Sequence, residues 1–309
     1  MEWFNAPNPY IGLSAQHSEF PSILPISEAT DWIADLKESE VLLGVDGKGR
    51  PLTADFDSES PHILVSAPTG AGKSSVARSV AVQRLMKGDM VVVLDIKRHS
   101  HRWARNLAPN VVYAKDPQDI GGALVRLGME VRRRNQVVDD WEGPVETAPV
   151  GQRIIVLYEE QNATQEELKE LDKRLPKGSY NARQGHQDIV FMGRAVKVHM
   201  VSFAQLASRR ASGGAEVIEN YGTKILINHS VTAWKWLAAD CGPMLPSPEE
   251  PGRCVVTQGG KARTVQALWI PEQDAERHVL DAPLAQRRAR QLSGTRTNLP
   301  PVWREAIGR

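Results

Sequence analysis

Ala67-Pro-Thr-Gly-Ala-Gly-Lys-Ser74 limits the folds open to this chain more than any other stretch. It has the form of a Walker A phosphate-binding loop, with Ala67 in place of the usual first glycine. Ile63-Leu64-Val65 reads as a buried strand entering the loop, and Ala77, Val80, Ala81 and Leu85 recur at helical spacing after it. Strand, glycine-rich turn and helix together give the motif its physical sense. Gly70 and Gly72 let the backbone wrap around phosphate, and the helix start adds a field that favours anions. The cofactor-binding set is therefore Pro68, Thr69, Gly70, Ala71, Gly72, Lys73, Ser74 and Ser75. Lys73 is expected to reach the β- and γ-phosphates of ATP, and the Ser74 hydroxyl to ligate Mg²⁺.

A second buried strand, Met90 to Asp95, follows, with Asp95 and Lys97 at its C-terminal end. Val111-Val112-Tyr113 reads as a third strand, and a helix is expected over Ile120 to Val138. Ile154-Ile155-Val156-Leu157 is a fourth buried strand running into Glu159-Glu160, the layout of a Walker B motif. An ATPase needs one carboxylate for the metal's shell and a base for the attacking water. Adjacent side chains on an extended strand point to opposite sides, so the two should differ in role. Glu159 is assigned to Mg²⁺ and Glu160 to the water. Gln205, at the tip of the strand Val198 to Phe203, is placed to sense the γ-phosphate. A helix is expected over Ser27 to Lys37, another over Glu166 to Lys173, and another from Asp188 to Ala195. Lys224 to Asn228 reads as a further strand.

Glycine-tipped hairpins are expected at Asp46-Gly-Lys-Gly49 and at Gly259-Gly260-Lys261. Alternating strands and helices around the loop predict an α/β, doubly wound, largely parallel sheet with these hairpins added. The 309 residues divide into an arm (1–35), an ATPase domain (36–275) and a basic tail (276–309). Lys plus Arg (38) nearly balances Asp plus Glu (37), so any nucleic-acid surface must be a local one. Two cysteines are too few for a disulfide framework, and no apolar run approaches a membrane span; a cytoplasmic protein is expected.

These motifs, in this order, resemble the motor domain of the FtsK/SpoIIIE DNA translocases, including their plasmid-transfer members. The resemblance runs from about Val41 to Ile270. Its further marks are Leu94-Asp95-Ile96-Lys97, with Ile96 where the family has proline; Gly128-Met129-Glu130-Val131-Arg132-Arg133; Arg194-Ala195 before Val198-His199; Ala204-Gln205; and Asn220-Tyr-Gly-Thr-Lys-Ile225. It implies a RecA-like P-loop ATPase that assembles as a homo-hexamer, with ATP at subunit interfaces and double-stranded DNA through the pore. Lys224 then stands where the family places an arginine acting on the neighbouring subunit's nucleotide, and Arg194 is a second candidate for that role. Glu159 stands where the family has aspartate. The implied catalytic set is Lys73, Glu160, Gln205, Lys224 and Arg194. DNA contacts are implied at Lys235, between Trp234 and Trp236, and at Lys261 and Arg263 on the second hairpin; Arg209, Arg210 and the Arg287–Arg290 run are the alternatives. The expectation is a motor without its own membrane segment or winged-helix module, given its destination by a membrane anchor or adaptor protein. A protein-secretion ATPase and a nonhydrolysing, nucleotide-switched assembly module are the rival readings.

Overall fold

The computed structural model describes residues 20–107, 110–205 and 215–281. The aromatic residues before Phe20, Arg209, Arg210 and the Arg287–Arg290 run lie outside these.

Six short apolar segments form the parallel core of one sheet. They are β4 (Ile63–Ser66), β5 (Met90–Leu94), β6 (Val111–Ala114), β7 (Ile154–Tyr158), β8 (Val198–Ala204) and β9 (Thr223–Leu226). Their order across the sheet is β9-β4-β8-β7-β5-β6, and every neighbouring pair is parallel. Strands buried on both faces read as continuous apolar runs, which is why Met90–Leu94 and Ile154–Tyr158 carry no polar residue but the terminal Tyr158 hydroxyl.

Helices cover both faces. One face packs α2 (Lys73–Met86) and α8 (Glu272–Leu280) over Ile63, Val65, Val91, Val93, Leu157 and Phe203. The other packs α3 (Pro117–Asp139), α4 (Gln161–Asp172) and α5 (Ala182–Met192) over Leu64, Val92, Val156, Tyr158 and Met200. The period-2 alternation of each strand thus divides its side chains between two cores. This is the doubly wound sheet that the sequence predicts.

Four antiparallel strands extend the sheet beyond β9. They are β10 (Arg253–Gln258), β11 (Lys261–Trp269), β2 (Glu40–Asp46) and β3 (Pro51–Asp55), in the order β9-β10-β11-β2-β3. Both expected hairpins are therefore present, and they lie side by side through β11 and β2. Pairing of β2 with β11 stops at Gly44. The buried N–H and C=O of Leu42 beyond it are satisfied by the Gln83 side chain of α2, at 2.9 Å each. The two-residue strand β1 (Leu24–Pro25) lies parallel to the end of β11, and Phe20 stacks under Arg253 at 4.4 Å. The described part of the arm thus packs on its own domain.

Several boundaries differ from expectation. Ser27 does not cap a helix: Ile26–Glu28 form a 3-10 turn, and α1 (Thr30–Asp35) starts after Ala29. The helix α4 begins at Gln161, directly after the glutamate pair, and α5 begins at Ala182, where the Asn181 side chain and Gln184 form a capping box. Two short helices, α6 (Ala215–Glu219) and α7 (Val231–Leu237), frame β9. The helix α8 runs across residue 275, where the sequence divides ATPase domain from tail.

Candidate nucleotide site

The topology brings four strand ends to one edge. Ser66 of β4, Ala204 of β8, Tyr158 of β7 and Leu94 of β5 are successive neighbours or separated by one strand, all pointing the same way. The chain leaving each carries the expected residues: the phosphate loop, Gln205, Glu159-Glu160, and Asp95 to Lys97. The loop is held to the neighbouring strand end by Ala67 N–H donating to the Ala204 carbonyl at 3.1 Å.

Gly70 and Gly72 have φ of 80° and 99°, in the left-handed region. A Cβ would meet nothing within 4 Å at either position, so conformation and not space requires glycine there. Gly72 caps α2, whose first residue is Lys73. The Lys73 ammonium is buried and donates to the Ala67 and Pro68 carbonyls at 3.0 and 3.1 Å. Burial lowers its pKa from the ordinary lysine value; Glu160 opposes that shift and Lys97 adds to it.

A polar cleft of about 350 Å³ opens beside the loop, lined by Lys73, Ser74, Lys97, Ser100, Glu159 and Glu160 among others. Both glutamates are buried. Glu159 pairs with the buried imidazole of His101, Nε2 to Oε1, at 2.8 Å. Glu160 accepts from Lys97 at 2.6 Å, and the same oxygen lies 3.8 Å from the Lys73 ammonium. The backbone at Glu160 is left-handed (φ 46°, ψ 46°), a strained conformation for a residue with a Cβ. That kink, not simple strand alternation, sends the two carboxylates to different partners. Thr164 supports it by donating to the Glu160 carbonyl at 3.1 Å.

Ser74 and Glu159 face one cleft, as the Mg²⁺ assignment requires. Among the described residues no group of three or more His, Cys, Asp or Glu forms a metal cage. Mg²⁺ needs none, since one or two carboxylates with substrate phosphates usually hold it. The donor set fits.

On the other side of the loop lies a larger, mainly apolar cavity of about 470 Å³. Gly72 and Ser75 form one wall, Ile227 and Asn228 a second, and Gly252 and Trp269 a third. The two cavities meet across the phosphate loop, which lines both.

The remaining predicted residues are spread more widely. Gln205 is exposed, at the strand edge beside the loop. Lys224 is half-buried in β9, in register with Leu64 and two residues before the strand's end; it lines neither cavity. Arg194 is exposed in the turn before β8, at the opposite edge of the sheet from Gln205. Lys235 is exposed on α7, and Lys261 and Arg263 are exposed on β11. The hairpin tip sits close to the turn after α7, where a Cβ on Gly260 would lie 3.8 Å from the Asp240 carbonyl. Sequence reasoning missed His101. Its only signal is its place six residues beyond Asp95, on the same strand-end loop as Lys97.

No protein-family model matches the sequence, and no curated protein matches it. Solved structures do. The conjugation coupling protein TcpA of pCW3, in its monomer form with ATPγS, superposes with a TM-score of 0.69 at 18% identity, over 86% of this chain and 75% of that one. EssC (ATPases 2 and 3) from Geobacillus thermodenitrificans gives 0.60 at 15% identity, over 85% of this chain and 52% of that one. Thermomonospora curvata EccC (ATPases 2 and 3), in complex with a signal sequence peptide, gives 0.56 at 15%, over 82% and 44%. The chain spans about half the length of those two proteins. No described helix is long and apolar enough to cross a membrane. In fold, the chain is an α/β, RecA-like P-loop domain with a doubly wound, largely parallel sheet, similar to the conjugation coupling protein TcpA and to the ATPases EssC and EccC.

Proposed function

We propose that the chain hydrolyses ATP and uses the energy to move double-stranded DNA, as one subunit of a hexameric ring in plasmid or phage DNA transfer. The observation that carries the ATPase part is the single cleft holding Lys73, Ser74, Glu159 and Glu160. The DNA part rests on the likeness to a conjugation coupling protein and on the exposed basic residues by the β10–β11 hairpin tip.

The phosphates of ATP lie against the N–H groups of the loop and the start of α2. Lys73 turns from the Ala67 and Pro68 carbonyls to the β- and γ-phosphates. The base and ribose occupy the apolar cavity beyond Ser75, against Ile227 and Trp269. Ser74 and the Glu159 carboxylate would hold the shell of a Mg²⁺ ion, which would supply positive charge against the phosphate oxygens. Glu160 takes a proton from the attacking water, and Gln205 reads whether the γ-phosphate is present. Lys224, and Arg194 with it, acts on the nucleotide of a neighbouring subunit. A lysine there supplies charge without the planar fork of an arginine. If so, Lys224→Ala chains mixed into wild type depress turnover more than in proportion to their share; strict linear dilution removes the trans role.

The likeness to secretion ATPases favours a second reading, in which the ring moves a polypeptide. Steady-state ATP turnover with and without duplex DNA separates the readings. Stimulation by duplex DNA is expected. Turnover indifferent to DNA favours the polypeptide motor, and nucleotide binding without turnover leaves only a nucleotide-switched assembly module.

A further inference from the structure

We propose that Lys97 is the positioning residue for Glu160, leaving Lys73 free for phosphate; this rests on the reading above that Glu160 activates the water. Two ammonium groups meet one carboxylate oxygen. Lys97 Nζ is 2.6 Å from Glu160 Oε1, and Lys73 Nζ is 3.8 Å from it. Only the shorter distance is a hydrogen bond. Lys73 instead donates to the loop carbonyls of Ala67 and Pro68, which it exchanges for phosphate in the reading above. The hydrogen bond from Lys97 therefore fixes the rotamer of Glu160, and the water's proton goes to the second oxygen, Oε2.

The base needs such a holder. A glutamate side chain has three rotatable bonds, and misplacing a catalytic group by about 1 Å can cost on the order of 100-fold in rate. Charge points the same way. Glu159, Glu160 and Lys73 are all buried, and two carboxylates beside one ammonium are poorly balanced in a low-dielectric site. Lys97 supplies the second positive charge.

The loop that carries Lys97 is built to hold it still. Asp95 is fully buried, and its Oδ2 accepts from Ser100 N–H at 2.9 Å and from the Tyr113 hydroxyl at 2.5 Å. Arg98 N–H donates to the Asp95 carbonyl at 2.9 Å, with Arg98 itself left-handed at φ 66°. The Arg98 guanidinium pairs with Asp116 at 2.5 Å. Lys97 thus leaves a closed turn pinned on both sides, and its side chain lies in the cleft with one third of its surface exposed.

The test uses the full chain and steady-state ATP hydrolysis beside a direct measurement of ATP affinity. Lys97→Met should lower kcat about 10- to 100-fold while KM and ATP affinity stay within about threefold. Lys97→Arg, which keeps a donor to Oε1, should recover at least a third of the missing rate on a logarithmic scale. The decisive measurement is a double-mutant cycle with Glu160→Asp, which retracts the carboxylate by one methylene from Lys97 but keeps a base. Lys97→Met should cost little more in that background, because the hydrogen bond it removes is already gone. A merely structural lysine would cost the same in both. Should Lys97→Met fail to fold, Lys97→Gln carries the same cycle. Additive effects, an unchanged kcat, or a raised KM at unchanged kcat would overturn the assignment while leaving the ATPase reading intact. A wild-type chain that binds ATP without hydrolysing it would overturn both.

Discussion

Glu159 and Glu160 are consecutive and line one cleft, yet their side chains meet different partners. The left-handed backbone at Glu160 does the separating, with His101 taking one carboxylate and Lys97 the other. Their chemical tasks can be told apart by amide substitution, which keeps shape and removes charge. Glu160→Gln should bind ATP with near wild-type affinity and lose roughly 100-fold or more in kcat, since general-base catalysis contributes about that much. Glu159→Gln should instead raise the Mg²⁺ concentration needed for half-maximal turnover. Turnover measured across a Mg²⁺ titration reads both. A fully active Glu160→Gln with an inactive Glu159→Gln would reverse the assignment. Both glutamates and the phosphate loop were legible in the sequence because each follows an uninterrupted apolar strand. His101 was not, because it meets Glu159 only through the pairing of β5 with β7, and a pairing of residues 58 positions apart leaves no local pattern.

At the scale of elements, the tightest approach on the far face of the sheet is between α3 and α5. Glycines make it possible. A Cβ on Gly185 would fall 2.1 Å from the Leu124 carbonyl oxygen, and one on Gly128 would fall 2.6 Å from the Gly185 Cα. The obstacles at Gly185 are backbone atoms, which cannot rotate away. Gly185→Ala should therefore push the helices apart and destabilise the fold by about 1–3 kcal/mol, the usual range for overpacking, despite alanine's better helix propensity. Urea unfolding checks this, and a midpoint at or above wild type would show that the helix pair yields without cost. The long helix α3 itself was readable from its apolar stripe, Leu124, Leu127 and Val131. The short α7 was not. Its seven residues hold only Ala233, Trp234 and Leu237 inward, too few for a period to stand out, and its start depends on a cap from Ser230 to Ala233 N–H at 3.1 Å. The two hairpins were legible from their glycine turns, but their joining through β11 and β2 was not, since it couples segments at opposite ends of the described chain.

For the whole molecule, the parallel strands set a direction: the proposed nucleotide residues gather at their C-terminal edge and the proposed DNA contacts lie elsewhere. Between them, the residue entering β4 and the helix α5 packed on the sheet carry buried histidines, His62 and His186. His62 accepts from Met200 N–H at Nδ1 and donates from Nε2 to the Val190 carbonyl, 3.0 Å each. Burial lowers its pKa to about 4, and that of His186 likewise to about 4. Because these folded values lie below the unfolded 6.5, the unfolded chain binds more protons, and stability falls as pH drops from 6.5 toward 4. At roughly 1.4 kcal/mol per pH unit, each histidine removes on the order of 3 kcal/mol across that window. Urea midpoints should fall steadily as pH is lowered through the same window; a flat profile would mean that these histidines are protonated in the fold. The proposed DNA track is tested separately. Thr223 at the start of β9 pairs with Gln258, which places the β10–β11 tip at the sheet edge opposite the phosphate loop. Lys261 and Arg263 are exposed there, and the tip meets the turn after α7, which bears the exposed Lys235. A chain with net charge +1 has no general attraction for DNA, so binding must come from such a local cluster. The neighbouring Asp240 weakens the cluster's field, which makes the number of phosphates engaged the quantity to measure. Replacing Lys235, Lys261 and Arg263 with alanine should abolish DNA-stimulated turnover and leave ATP affinity unchanged, since none of the three lines either cavity at the loop. The log–log slope of DNA affinity against salt should flatten by about 0.9 for each phosphate no longer neutralised. An unchanged slope with unchanged stimulation would move the DNA track away from this hairpin altogether.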